Sequence, residues 1–160
     1  MATNSLSDLL PETAIRLHVP AADWRAAVRA SGDALIAGGA TTEAYSDEMI
    51  ATVEQLGPYI VIAPGIALAH SRPSPAVLRP GLSIVTLAVP IEFGNKANDP
   101  VRLLVGLAAP DDTSHVEALS TLAGLLADTA SREALLAARN AGEVRDVIAR
   151  YEGGMDAAQP

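Results

Sequence analysis

Four segments of the chain have the hydrophobic patterns that are typical of β-strands. Residues 15–19 alternate between apolar and polar side chains, which predicts a half-buried strand. Largely aliphatic runs at 60–63, 82–89 and 101–109 predict buried strands. The last run has a single charged residue, Arg102, and we expect it inside the sheet with both faces covered. Turn formers are expected to end the four strands: Pro20, Pro64-Gly65, Pro90 and Pro110-Asp111-Asp112.

Apolar residues at helical spacing lie between and after these strands. A first helix starts at Asp23 and is expected to stop at Gly32, and a second is capped by Thr42 and stops at Gly57. One face of the second helix carries Tyr45, Met49, Val53 and Leu56. Three further helices are predicted at 114–126, 131–141 and 143–151, the first opened by a capping box from Ser114 to Glu117. The first eleven residues are expected to form a loose lead-in or a short helix, and the tail from Gly153 is expected to fray.

The alternation of strands and helices predicts an α/β domain in which a mixed β-sheet is flanked by helices on both sides. A chain of 160 residues is most simply one domain and is long enough to bury its own core. We therefore expect a single domain over residues 1–160, with its core at about 12–151. The order of the strands does not follow from the pattern.

Composition and charge restrict the possible functions. Hydrophobic residues make up 49 % of the chain, as in folded globular proteins. The formal net charge of −8 disfavours nucleic acid and anionic membranes as partners, because both need a basic surface. The absence of cysteine excludes disulfides and thiolate chemistry. No apolar run reaches the roughly 18 residues of a spanning helix, and the N-terminus lacks a basic start, so we expect a cytoplasmic protein.

The histidines are the main candidates for chemistry. Of the three, His70 and His115 each follow a predicted strand by way of turns, whereas His18 lies within one. A neutral histidine is a competent nucleophile toward phosphorus. If His70 and His115 face one another, one ring can hold a phosphoryl group while the other donates a hydrogen bond to it. Arg72 would supply a planar pair of donors to the same oxygens, and phosphoryl transfer of this kind needs no metal.

Other sites remain as alternatives to this hypothesis. A zinc site would combine His70, His115 and either Asp111 or Asp112, although no two histidines have the short spacing of common zinc motifs. A serine hydrolase based on Ser71 lacks the glycine-flanked nucleophile turn. The glycines of the same stretch are too sparse for a nucleotide-phosphate loop. Incidental surface histidines are the simplest alternative.

The stretch from Gly57 to Pro73, GPYIVIAPGIALAHSRP, closely resembles the enzyme IIA domains of the bacterial sugar phosphotransferase system, mannitol and fructose type. Within that group it is most similar to the ascorbate branch. The likeness runs from about Ile15 to Tyr151 and includes Trp24, Gly38-Gly39, Tyr45, Met49, Phe93-Gly94, Asn98-Asp99-Pro100-Val101 and Ser114-His115. It implies the mannitol-type enzyme IIA fold, which agrees with the pattern of strands and helices.

The resemblance also implies a function for individual residues. His70 matches the histidine that accepts a phosphoryl group, as a tele-phosphohistidine, from the histidine-containing phosphocarrier protein and passes it to a cysteine of enzyme IIB. His115 matches the second active-site histidine, which supports the phosphorylated state. Arg72 matches the arginine that follows the phosphorylated histidine in the family, and the Ser71 hydroxyl would add a hydrogen bond to the phosphoryl oxygens. No cofactor or metal is implied, the membrane enzyme IIC is contacted only indirectly, and the transported compound would be a sugar or sugar acid such as L-ascorbate.

Two residues depart from the family pattern, which has proline at the position of Ala69 and alanine at that of Ser71. Alanine leaves the backbone before His70 freer than proline would, and the serine adds a hydrogen-bonding group. An alternative function is a regulatory module of the same fold that binds a partner protein according to its phosphorylation state. An α/β domain that has lost the phosphoryl relay is the third possibility.

Overall fold

A five-stranded mixed sheet with helices on both faces forms the framework of the computed structural model, which describes residues 5–111 and 116–158. The strands are β1 (Ile15–Val19), β2 (Val61–Ala63), β3 (Ile66–Ala69), β4 (Gly81–Ile91) and β5 (Val101–Ala108). The helices are α1 (Leu6–Leu9), α2 (Trp24–Ala37), α3 (Glu43–Leu56), α4 (Val116–Ala127), α5 (Thr129–Ala137) and α6 (Ala141–Ala158), with a 3-10 turn at Glu12–Ala14. This architecture confirms the predicted fold class.

The strand order β1-β4-β5-β3-β2 places β5 at the centre of the sheet. Strand β5 runs parallel to β3, with Ala69 opposite Gly106, and antiparallel to β4. The carboxyl ends of β3 and β5 therefore lie side by side at one edge of the sheet. Strand β1 is parallel to β4, so its end near His18 lies at the opposite edge.

The two faces of the sheet pack against different helices. On one face, α2 and α3 contribute Val28, Leu35 and Met49 to a core that includes Val85 and Leu104. On the other face, α1 and α4 to α6 pack on Ile66, Ile84 and Leu103. All the described side chains of β5 except Arg102 are buried, which confirms its predicted position inside the sheet. None of the helices in the described ranges is long and apolar enough to cross a membrane.

Several predicted helix ends are wrong. Helix α2 continues through Gly32 to Ala37, because Gly32 lies where α2 closely approaches Ser46 of α3, and a Cβ there would be 2.0 Å from the Ser46 Oγ. Helix α5 ends at Ala137, before the predicted stop, and α6 begins ahead of Gly142. Helix α6 also continues beyond Gly153, where a frayed tail was expected. Within the predicted lead-in, residues Leu6–Leu9 form the short helix α1, with a capping box between Ser5 and Asp8.

The strands also differ from the predictions in three places. The stretch after Pro64-Gly65 forms β3, a strand that the sequence pattern did not predict, so His70 follows β3 rather than β2. Strand β2 is buried only in part, because it is the outermost strand of the sheet: Val61 is buried, whereas Ile62 is half exposed. Strand β4 continues past Pro90 to Ile91, because the register with β5 shifts between Thr86 and Ile91 and no ladder bond from Pro90 is required.

Candidate functional site

His70 is the first residue after β3 and is half-buried at the edge of the sheet where β5 also ends. Its Nδ1 atom lies 2.8 Å from the carbonyl oxygen of Leu68. Because a carbonyl oxygen only accepts hydrogen bonds, Nδ1 carries the proton and donates. In the neutral ring the lone pair is therefore on Nε2, which is the nucleophilic nitrogen.

A tyrosine contacts the same imidazole ring. Tyr59 meets His70 edge to face, with ring centroids 5.8 Å apart and planes at 82°, a favourable aromatic arrangement. The segment that carries Tyr59 turns at Gly57, which has a φ of 90°. The side-chain amide of Asn95 donates to the carbonyl oxygens of Pro58 and Val61, both at 3.3 Å. Tyr59 is therefore held from both sides against His70.

Helix α3 holds the residue that follows His70. The main-chain N–H of Ser71 donates to the Tyr45 hydroxyl at 3.0 Å, and that hydroxyl lies 2.8 Å from the carbonyl oxygen of Leu107. The Ser71 side chain lies 3.1 Å from the Thr52 hydroxyl. Tyr45 thus joins three elements at one point: α3, the segment after β3 and the end of β5.

The environment of Tyr45 keeps its hydroxyl protonated. The side chain is 1 % exposed, and burial raises the pKa of Tyr45 to about 12, with a smaller contribution from the nearby Glu48 carboxylate. The hydrogen bond from the Ser71 main chain acts in the opposite direction. Tyr45 therefore remains a hydrogen-bond donor to Leu107 throughout the neutral range.

His70 lines an open depression with a volume of about 530 Å³. The depression is formed by Tyr45, Thr52, Gln55, Leu56, Tyr59, His70, Ser71, Arg72, Pro73, Leu107 and Ala109. The Arg72 side chain is exposed and makes no hydrogen bond or ion pair with any other described residue. A guanidinium that lines the same depression as Nε2 of His70 is suited to an anionic group that carries several oxygens.

The structure brings some of the predicted site residues together and places others apart from them. His70, Ser71 and Arg72 line one depression, while His18 lies at the opposite edge of the sheet and is exposed. His115 lies outside the described residues, together with the start of the predicted capping box. Asp112 does as well, so the zinc alternative and the pairing of the two histidines remain predictions. Within the described part of the chain, no three metal-binding side chains cluster.

The sequence analysis gave no site role to Tyr45, Thr52 or Tyr59, which also line the depression. It placed Tyr45 on one face of the second helix. Tyr45 and Thr52 are seven residues apart on α3 and therefore lie on one face, two turns apart. That spacing is a usable signal only once α3 is known to pack against the segment after His70.

Known proteins are similar to this chain in both sequence and fold. The sequence model for "Phosphoenolpyruvate-dependent sugar phosphotransferase system, EIIA 2" matches residues 8–151. The "Ascorbate-specific PTS system EIIA component" of Salmonella choleraesuis is 42% identical over 147 residues, which cover 91% of this chain and 96% of that one.

Two solved structures of Escherichia coli proteins are also similar. The mannitol-specific cryptic phosphotransferase enzyme IIA has a TM-score of 0.81 and 34% identity, covering 92% of this chain and 99% of that one. A mannitol enzyme IIA solved in complex with phosphorylated enzyme IIB has a TM-score of 0.75 and 26% identity, covering 88% and 99% of the two chains. These matches confirm the resemblance inferred from the stretch 57–73. The chain belongs to the EIIA 2 family of the phosphoenolpyruvate-dependent sugar phosphotransferase system, whose members are phosphotransferases that carry phosphoryl groups.

Proposed function

We propose that this protein carries a phosphoryl group on Nε2 of His70 during the uptake of a sugar or sugar acid, with L-ascorbate as the first candidate. The observation that carries the proposal is the hydrogen bond from Nδ1 to Leu68, which leaves the Nε2 lone pair available. Nε2 attacks the phosphorus of a phosphohistidine on the donor protein, and the P–N bond of the donor breaks as that of His70 forms. In the second transfer a cysteine thiolate attacks, the new P–N bond breaks and an S–P bond forms.

The phosphoryl group brings negative charge that the site must balance. The guanidinium of Arg72, which has no partner among the described residues, is two residues from His70 and lines the same depression, and this supports its proposed role as an anion ligand. His115 is proposed to support the phosphorylated state. It follows β5, the parallel neighbour of β3, seven residues after the strand ends at Ala108. Ser71 is proposed to contribute to the same site.

The rim of the depression supports transient docking of two proteins at one histidine. Leu56 is 66% exposed and Tyr59 is 47% exposed, although both are large and apolar. Exposed apolar side chains around a reactive group are typical of a protein-binding surface. Donor and acceptor must each reach His70, so the open depression suits sequential use by two partners better than a deep pocket would.

The proposed partners follow from the family and its relatives. The donor is the histidine-containing phosphocarrier protein, and the acceptor is a cognate enzyme IIB, in keeping with the mannitol enzyme IIA that was solved with phosphorylated enzyme IIB. The name of the Salmonella relative supports ascorbate as the transported compound. The membrane enzyme IIC would be reached only through enzyme IIB, in a cytoplasmic relay that needs no cofactor and no nucleic acid.

Labelling tests the acceptor directly. The protein is incubated with phosphoenolpyruvate, enzyme I and the phosphocarrier protein, and acid-labile phosphate is measured. We expect labelling of the wild type and none of His70→Ala. The control is His18→Asn, because asparagine tolerates the positive φ of 55° at this position, and it should label normally. Persistent labelling of His70→Ala would refute the assignment.

Two further measurements test the supporting residue and the substrate. His115→Ala should still be labelled at His70 but should exchange phosphate more slowly or hold it for a shorter time. Normal rates in both directions would exclude a supporting role for His115.

Transfer from the labelled protein to an ascorbate-specific enzyme IIB should be faster than transfer to a mannitol-specific one. Capture of a transcription factor or kinase in place of any enzyme IIB would favour the regulatory alternative.

A further inference from the structure

Three side chains on one face of helix α3 contact the segment after β3: Tyr45, Glu48 and Thr52. The Glu48 carboxylate accepts a hydrogen bond from the Ser74 hydroxyl at 2.7 Å. Tyr45 binds the main chain of Ser71, and Thr52 contacts its side chain. Residues 70–74 belong to no helix or strand, so these contacts, and not a ladder of main-chain bonds, hold the segment in place.

The protons of the two hydroxyl groups can be assigned from their partners. The Thr52 hydroxyl lies 2.9 Å from the carbonyl oxygen of Glu48, one turn earlier in α3. Because that oxygen only accepts, the single hydroxyl proton of Thr52 is used there. The 3.1 Å contact between Thr52 and Ser71 therefore requires Ser71 to donate. The Ser71 proton is engaged with α3 and is not free for a phosphoryl group on His70.

This arrangement has a consequence for His70 itself. Its ring is oriented by Leu68 and Tyr59, and the first main-chain anchor that follows it within the described residues is the Ser71 N–H on Tyr45. Ala69 precedes it and leaves the backbone without the fixed φ that proline would supply. The hydrogen bond between Ser71 and Thr52 is a second restraint on the same residue, from the same face of α3.

We propose that Thr52 and Ser71 form a positioning pair that holds His70 in the geometry for phosphoryl transfer, and that Ser71 acts through Thr52 rather than as a ligand of the phosphoryl group. The inference rests on the proposed function of His70. It makes Thr52, which does not contact the reacting atoms, as important to the rate as Ser71.

The test compares Ser71→Ala, Thr52→Val, the double variant and Thr52→Ser, with the exposed Thr13→Val as a matched control. Rapid-mixing experiments measure the rate of phosphoryl transfer from the phosphocarrier protein. Loss of one hydrogen bond should slow transfer by about threefold to tenfold in either single variant. The double variant should be no slower than the singles, because both remove the same interaction. Thr52→Ser and Thr13→Val should behave as wild type.

A direct contact between Ser71 and the phosphoryl group would give different transfer rates in these variants. If its hydroxyl contacts the phosphoryl group, Ser71→Ala slows transfer and shortens the life of phosphohistidine while Thr52→Val does neither, and this result would overturn the proposal. Hydrogen exchange of the Ser71 amide gives a readout that does not depend on transfer. It should become faster in both single variants, and unchanged exchange in Thr52→Val would also refute the pair. A wild type that is never labelled would refute the proposed function, whereas the exchange result would still decide the pair.

Discussion

The Nδ1 atom of His70 and the carbonyl oxygen of Leu68 are 2.8 Å apart, within a segment of three residues. The bond sets the tautomer of the ring, because the carbonyl accepts and Nδ1 must donate. It also leaves the lone pair of the neutral ring on Nε2. The chemistry proposed for this protein therefore depends on a local main-chain contact.

Phosphorylation is expected on Nε2. NMR spectra of the phosphorylated protein with ¹⁵N-labelled histidine distinguish the two ring nitrogens, and the Nδ1–H of His70 should persist after phosphorylation. The His18 ring provides an internal reference that should not change. A phosphoryl group on Nδ1 would require the ring to leave Leu68 and would contradict the assignment.

The apolar rim of the depression should matter for docking and not for folding. Replacing Leu56 with glutamine should slow transfer from the phosphocarrier protein and to enzyme IIB several-fold, because the exposed side chain would no longer be buried against the partners. Val89→Gln is the matched control, since Val89 is 68% exposed and lies at the opposite edge of the sheet. Equal effects of both substitutions would show that Leu56 has no part in docking.

Tyr45→Phe should lower the free energy of unfolding by about 1–3 kcal/mol, because it leaves the Ser71 N–H and the Leu107 carbonyl without their buried partner. Urea denaturation measures the change. Tyr59→Phe is the control: the Tyr59 hydroxyl has no hydrogen bond to another described residue, so a change within about 0.5 kcal/mol is expected. Similar losses in both variants would argue against the role of Tyr45.

The raised pKa of Tyr45 predicts a loss of stability in alkali. The phenol ionises near its ordinary pKa of 10.0 in the unfolded chain but only at about 12 in the folded protein. Between these values the unfolded state binds fewer protons, so the free energy of unfolding falls as pH rises, by about 2–3 kcal/mol in full. Tyr45→Phe should remove this part of the pH dependence. An unchanged slope between pH 10 and 12 in Tyr45→Phe would show that another group is responsible.

Gly32→Ala should destabilise the protein even though alanine favours helices. The added Cβ would lie 2.0 Å from the Ser46 Oγ and 2.7 Å from its Cβ, so α2 and α3 would have to separate, at a cost of about 1–3 kcal/mol. In Gly153→Ala the added Cβ has no atom within 4 Å, so this substitution should raise the free energy of unfolding by about 0.5–1 kcal/mol. Thermal or urea denaturation compares the two. Stabilisation by Gly32→Ala would mean that the helices do not approach closely there.

Local patterns predicted most of the elements that build this fold. The interior position of β5 followed from its nearly continuous apolar run, and the start and end of α3 followed from Thr42 and Gly57. The errors have a common cause. Gly32 and Pro90 are residues that usually end a helix or a strand. Gly32 nevertheless lies within α2, where α2 closely approaches α3, and Pro90 lies within β4 at a register shift. Neither the helix contact nor the register shift is visible in one segment of sequence.

The sequence by itself determined the mixed sheet with helices on both sides and placed His70, Ser71 and Arg72 in one short stretch, because patterns of period 2 and 3.6 and adjacent residues are properties of the chain alone. The resemblance of that stretch to known enzyme IIA domains identified the family. Only the tertiary structure decided that β3 lies beside β5, that Tyr45 and Thr52 of α3 hold Ser71, and that Tyr59 contacts His70. These contacts join residues that are distant in sequence, so they depend on strand order and on the packing of α3, which no local pattern specifies.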